Sequence, residues 1–206
     1  GSSSDRVLNP EMVWLYLRGA GTTNRISLLQ WDVAPIAEAI AQLPDMTAVE
    51  VSPIATLTIY CKPGSTSGLT IRVHALEPDF PSCCWEHNDA RKNISYDVVE
   101  AHGVDVDTDV PLASWLLTPE RVSESTWWNI DFNVTLDERT RAALASGGGG
   151  HIGFVISTDM AQTSFIVSKD HAWTDHHPRL TVYAGAASTT SPAPTAPTQT
   201  AAPIAE

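Results

Sequence analysis

Charged residues are scarce in this chain, and basic residues are scarcer than acidic ones. Only 17% of the 206 residues are charged, and 12 Lys and Arg stand against 24 Asp and Glu, which gives a net charge of −12. Binding to a nucleic-acid backbone requires clustered Lys and Arg, so the composition argues against that class of protein. The acidity also disfavours docking on an anionic membrane, and no apolar run is long enough to span a bilayer.

Cysteine is scarce as well, with three copies and neither a CxxC pair nor zinc-ribbon spacing. A disulfide between Cys61 and one of the two adjacent cysteines at positions 83 and 84, for example Cys83, is one alternative. The other is that the thiols are buried as small hydrophobic side chains. Seven Trp, 14 Pro and 12 Gly among so few charges indicate an extracellular or cell-surface β-rich module, in a compartment that permits disulfides.

Short segments with a two-residue hydrophobic alternation run through the chain. Every second residue is apolar in residues 55–61, and the same rhythm recurs in residues 69–75 and 128–134. Such alternation places one face of a strand in a core and the other toward solvent or a ligand. Many short strands separated by Pro and Gly turns predict an all-β fold, a jelly-roll-like antiparallel β-sandwich.

Two short helices are predicted within this β framework. The first covers residues 35–43 and has Pro35 in its first turn. The second covers residues 136–145, because Thr135 and Glu138 have the spacing of a capping box and a four-glycine run follows.

Composition divides the chain into three parts. Residues 1–12 form an N-terminal extension, residues 13–185 the sandwich domain, and residues 186–206 a tail rich in Pro, Thr and Ala. The tail has no aromatic residue and a single charge, so it cannot bury enough apolar surface to offset the entropy of ordering it. We expect it to act as an extended linker or stalk.

Several strand-sized motifs follow one another in a distinctive order, which is Arg25-Ile26-Ser27-Leu28-Leu29-Gln30-Trp31-Asp32, Trp128 to Thr135, Gly153-Phe154 and Pro178-Arg179-Leu180. This order resembles that of DNRLRE-type domains, including the related carbohydrate-binding module family 96, over about Trp14 to Tyr183. The resemblance implies a secreted jelly-roll sandwich without catalytic machinery. It also implies attachment to polysaccharide-degrading enzymes, especially alginate-active ones, or to cell-surface and structural proteins.

Aromatic side chains are the candidates for glycan contact, because sugar rings stack their C–H faces on exposed Trp and Tyr. We predict Trp127 and Trp173 as ligand-binding residues, with Trp85 and Tyr96 as further candidates. Trp127 alternates with its neighbour in a strand, so one of the two faces outward, and Trp173 lies in a polar loop, residues 169–177. The core is expected to take the remaining tryptophans, Trp14, Trp31, Trp115 and Trp128.

Metal and catalytic signals are weaker. Asp105, Asp107 and Asp109 alternate like the start of a calcium loop, but Val110 and Leu116 stand where an EF-hand requires Gly and Glu. A structural calcium site of another class and a solvated acidic loop are the two alternatives there. No other cofactor is indicated. Since no G-x-S-x-G motif occurs and no carboxylate pair stands out, we expect no catalytic activity.

Two hypotheses for function follow. The leading one is a non-catalytic extracellular carbohydrate-binding or cell-surface module, which binds a polysaccharide or cell-surface glycan by aromatic stacking. The alternative is a structural subunit of an extracellular filament, surface layer or virion, which self-associates through its extended tail.

Overall fold

The computed structural model describes residues 14–19, 26–44, 49–62, 68–76, 109–118, 127–159 and 163–186. Its strands are β1 (Trp14–Leu17), β2 (Ser27–Asp32), β3 (Val49–Lys62), β4 (Leu69–Leu76), β5 (Ala113–Leu117), β6 (Trp128–Thr135), β7 (His151–Thr158), β8 (Ser164–Val167) and β9 (Arg179–Ala186). Its helices are α1 (Val33–Ala41) and α2 (Glu138–Ser146), and a 3₁₀ turn spans Thr174–His176. Among these described helices, none has the length and apolarity needed to cross a membrane.

The strands form two antiparallel sheets in the order of a jelly roll. The front sheet has the order β1-β8-β3-β6, and the back sheet has the order β2-β7-β4-β5. The chain therefore pairs its first strand with its eighth, its second with its seventh, its third with its sixth and its fourth with its fifth. Such a folded-over pairing across two sheets is the jelly-roll topology. The predicted all-β sandwich with short helices is confirmed.

The long strand β3 organises the front sheet. One of its edges pairs with β6 from Ile54 to Cys61. The other edge pairs first with β9 and then, at its C-terminal end, with β8. The register with β9 shifts between Val51 and Ala55, where Pro53 has no N–H to donate to a ladder. Among the described strands, β9 is thus an addition to the eight-stranded jelly roll.

Side-chain alternation along the strands builds the core between the sheets. On β3, Leu57 and Ile59 are fully buried, while Thr56 and Tyr60 lie on the outward face. Burying one such aliphatic side chain stabilises the fold by about 1.5–3 kcal/mol. The core cluster joins both sheets and includes Ile130, Phe132 and Val134 of β6, Ile71 and Val73 of β4, and Phe154 and Ile156 of β7.

Three of the four tryptophans expected in the core pack against it, namely Trp31, Trp115 and Trp128. Trp115 of the back sheet contacts Trp128 of the front sheet with ring centroids 6.3 Å apart, so the two sheets meet through these rings. Trp31 meets the ring of Phe154 edge to face at 6.1 Å. The side chain of Trp14 lies outside the described residues.

Cys61 is a free thiol, so it does not form the predicted disulfide with Cys83. The physical reason is its position on the inward face of β3, where it is fully buried beside Trp128 and Ile166 on the neighbouring strands. Burial raises the pKa of the thiol to about 12. Cys61 therefore fits the alternative of a small hydrophobic side chain, and Cys83 lies outside the described residues.

Both helices differ from their predicted bounds, and α2 has a different cap. Its N-cap is Asp137, whose Oδ1 accepts the backbone N–H of Thr140 at 2.8 Å and whose Oδ2 accepts the Thr140 hydroxyl at 2.7 Å. The predicted cap, Thr135, is instead the last residue of β6 and pairs with Ile54. Gly147 follows the helix as its C-cap, and its φ of 75° favours glycine.

The cap makes stability depend on the ionisation of Asp137. Its partial burial raises the pKa, but hydrogen bonds from the Thr140 hydroxyl and from backbone N–H groups outweigh burial, so the pKa is lowered. A carboxyl with a lowered folded-state pKa adds stability above its unfolded pKa. That stability is lost as the pH falls through the folded value.

We predict that Asp137→Ala lowers the free energy of unfolding by about 1 kcal/mol at neutral pH. The difference from wild type should shrink as the pH falls below about 4, because the carboxylate then becomes protonated. Urea unfolding at several pH values measures this. Thr135→Ala is the matched control and should cost less than about 0.5 kcal/mol. A larger loss for Thr135→Ala than for Asp137→Ala would contradict the assigned cap.

Candidate ligand-binding site

The two tryptophans predicted to bind a ligand lie in contact on the outer side of the front sheet. Their ring centroids are 5.7 Å apart, and the rings meet edge to face at 80°. Trp127 immediately precedes β6, and strand alternation turns it outward while Trp128 packs on the core. Trp173 belongs to the β8–β9 loop, residues 168–178, so two segments that are distant in sequence meet here.

Tyr60, at an outward position of β3, lies at the centre of this contact. Its ring stacks with Trp127 at 5.3 Å and 15°, and with His176 at 3.9 Å and 13°. Trp173 meets the same ring edge to face at 6.5 Å. We call Tyr60, Trp127, Trp173 and His176 the aromatic cluster. Since each aromatic contact contributes about 0.5–1.5 kcal/mol beyond its buried area, the cluster holds the β8–β9 loop on the sheet.

His171 fixes the shape of the loop from within. It is 9% exposed, its Nδ1 accepts the backbone N–H of Trp173 at 2.9 Å, and its ring contacts the Trp173 ring at 4.6 Å. Its carbonyl oxygen accepts a hydrogen bond from Nε2 of His177 at 2.6 Å. These roles require His171 to be unprotonated at Nδ1 and His177 to carry its proton on Nε2. Hydrogen bonds from Trp173 and from His177 to His171 therefore fix the loop backbone on both sides of Trp173.

An open depression of about 480 Å³ lies against the cluster and is lined by Tyr60, Ala172, Trp173, Thr174, Asp175 and His176. The volume falls in the range of small-molecule sites. Trp173 is 44% exposed and borders the depression, so part of its ring is available to a ligand. Thr174 and Asp175 place a hydroxyl and a carboxylate beside it. An exposed ring with polar neighbours can bind a molecule that has an apolar face and hydroxyl groups.

The remaining predicted site residues fall largely outside the described residues. Trp85, Tyr96, Asp105 and Asp107 all lie there, so their roles stay predictions. Asp109 is described and exposed. In the part of the chain that the structure describes, no group of three or more His, Cys, Asp or Glu side chains is placed to hold a metal ion.

Sequence analysis missed two members of the cluster, Tyr60 and His176. The signal for Tyr60 was present, because it occupies an outward position in the alternation of β3 and is an aromatic residue among threonines. His176 had no comparable signal. Its stacking on Tyr60 depends on how the β8–β9 loop folds back over the sheet, which no local pattern encodes.

No protein-family model matches the chain, and no curated protein matches it either. The resemblance to DNRLRE-type domains therefore stays a prediction.

We predict that His171→Ala loosens the β8–β9 loop, because the Trp173 N–H loses its acceptor and the Trp173 ring loses a neighbour. Amide hydrogen exchange should become faster in residues 169–177, and the free energy of unfolding should fall by about 1–3 kcal/mol. His171→Asn, which restores an acceptor near the position of Nδ1, should recover part of the protection. His151→Ala, on β7, is the control and should leave exchange in the loop unchanged. Wild-type exchange rates in His171→Ala would contradict this account of the loop.

Proposed function

We propose that the protein is a non-catalytic extracellular or cell-surface module that binds a polysaccharide or cell-surface glycan at the aromatic cluster. The observation that carries this proposal is the exposed ring of Trp173, held edge to face against Trp127 beside an open depression. Two tryptophans from separate segments meet there on the outside of the sandwich, although large apolar side chains normally gain more from burial in the core.

The chemistry of the site suits a sugar ring. The C–H face of a pyranose covers an exposed indole, and its hydroxyl groups exchange hydrogen bonds with side chains such as Thr174 and Asp175. Trp173 is the residue best placed for stacking, since Tyr60 already stacks with Trp127 and His176. The contact area is small, so we expect dissociation constants from micromolar to millimolar.

Binding without turnover is the simplest role for these groups. Glycosidases flank the scissile bond with two carboxyl groups, whereas Asp175 is the one carboxylate among the six residues that line the depression. The jelly-roll fold supports the proposal only in a general way, because it hosts lectin domains and capsid proteins alike.

We predict that Trp173→Ala reduces polysaccharide affinity by about tenfold or more, because the stacking surface is removed. Affinity electrophoresis across a panel of neutral and acidic polysaccharides measures this as lost retardation. Trp173→Phe should retain part of the binding. Leu116→Ala, which removes a side chain that is 65% exposed on the back sheet, is the matched control and should migrate like wild type. Absence of retardation on every polysaccharide would contradict the proposal.

A structural subunit is the second candidate, and one observation favours it. β9 pairs with β3 on one side, and the described residues place no strand on its other side. β9 ends at Ala186, where the tail rich in Pro, Thr and Ala, residues 186–206, begins. An edge strand of this kind can pair with an extended segment of another copy.

Light scattering coupled to size exclusion tests the second candidate. A structural subunit should form concentration-dependent oligomers as the full chain and should become monomeric when the chain is shortened to residue 186. A glycan-binding module should be monomeric in both forms. Monomers at all concentrations for the full chain would contradict assembly through the tail.

A further inference from the structure

We propose that the binding site continues from the aromatic cluster along the outward face of the front sheet, and that its ligand is a linear, uncharged glycan chain. This inference rests on the proposed function and names the class of ligand. It assigns binding roles to residues of β3, β6 and β9 that lie outside the depression.

The outward face carries polar side chains in rows that cross the three strands. Thr58 of β3 lies opposite Asp131 of β6 and Arg179 of β9, and it donates a hydrogen bond to Asp131 Oδ1 at 2.6 Å. Asp131 and Arg179 are both exposed. The row therefore presents a carboxylate acceptor and a guanidinium donor, which are suited to sugar hydroxyls.

A second row lies further along β3. Thr56 lies opposite Asn133 of β6, and its hydroxyl bonds to Asn133 Oδ1 at 3.4 Å and to the Tyr183 hydroxyl at 3.0 Å. Because Oδ1 of Asn133 already accepts from Thr56, its amide group keeps two donors for a ligand on the exposed side of the strand. These hydrogen bonds orient the side chains before any ligand arrives.

A second exposed aromatic ring lies at the far end of the face. Tyr183 is 51% exposed and is anchored through its hydroxyl to Thr56. Thr56 precedes Tyr60 by four residues of β3, which corresponds to about 13 Å along the strand. That span exceeds one pyranose ring. A ligand that contacts both Trp173 and Tyr183 must therefore be an oligosaccharide lying along the strand direction.

The charges on the face favour an uncharged chain. Asp131 and Arg179 balance each other within one row, and the rest of both rows is hydroxyl and amide. The chain as a whole has a net charge of −12, so a polyanionic glycan would meet repulsion, and Arg179 is the one basic side chain in the two rows that could offset it. A polycation would be drawn to the surface as a whole rather than to these rows.

Calorimetry with disaccharides and hexasaccharides tests the proposal on the full chain. The neutral probes are cellobiose and cellohexaose, mannobiose and mannohexaose, and laminaribiose and laminarihexaose, and the charged probes are alginate and chitosan hexasaccharides. We expect one hexasaccharide to bind about tenfold more tightly than its disaccharide, because it reaches both aromatic rings. Tyr183→Ala should remove most of that gain while leaving disaccharide affinity unchanged. Tyr183→Phe, the matched control, keeps the ring but loses the hydrogen bond to Thr56, so it should retain most of the gain, and Trp173→Ala should weaken both lengths.

Three outcomes separate the possible failures. If disaccharides and hexasaccharides bind with equal affinity and Tyr183→Ala changes neither affinity, the extension of the site along the sheet is overturned, while glycan binding at the aromatic cluster stands. Tighter binding of an alginate or chitosan hexasaccharide than of every neutral one would overturn the uncharged ligand. Binding of none of the sugars would overturn both this inference and the proposed function.

Discussion

The alternation along β3 is the constraint on which the rest of the structure depends. Its inward residues, such as Leu57 and Ile59, are fully buried, whereas its outward residues are Tyr60 and the threonines of the two polar rows. A slip of one residue would bring Thr56 and Tyr60 into the core and expose the aliphatic side chains. Because β3 pairs with β6, β8 and β9, that slip would also misplace the strands that supply the candidate site.

The interactions that form the candidate site also stabilise the fold. Tyr60 anchors the β8–β9 loop through its stack with His176, and His171 fixes the backbone of that loop from inside. Trp173 is therefore partly exposed while its backbone is fixed by the hydrogen bond to His171. A ligand that stacks on it therefore costs little additional ordering, which is how preorganisation contributes to affinity.

Much of the fold could be predicted from the sequence, because two-residue alternation reports burial directly. It identified β3, β4 and β6 and showed that one residue of the Trp127–Trp128 pair turns outward. The helix cap was predicted wrongly, since Thr135 and Asp137 are both good capping residues and strand pairing decides between them. Of the two alternatives for Cys61, the structure shows the buried thiol, because the inward position of Cys61 on β3 places its side chain in the core. The stacking of His176 on Tyr60 depends on non-local loop packing.

On the proposed function, the outward face of the front sheet binds a glycan and the back sheet does not. A ¹⁵N NMR titration with a hexasaccharide that is retained in the binding assays tests it most directly. We expect shifts at the Trp173 indole N–H and at the side-chain amides of Asn133 and of Asn129, which lies opposite Tyr60 on β6, with little change on β4 and β5. Shifts confined to β4 and β5, or none under saturating sugar, would contradict it.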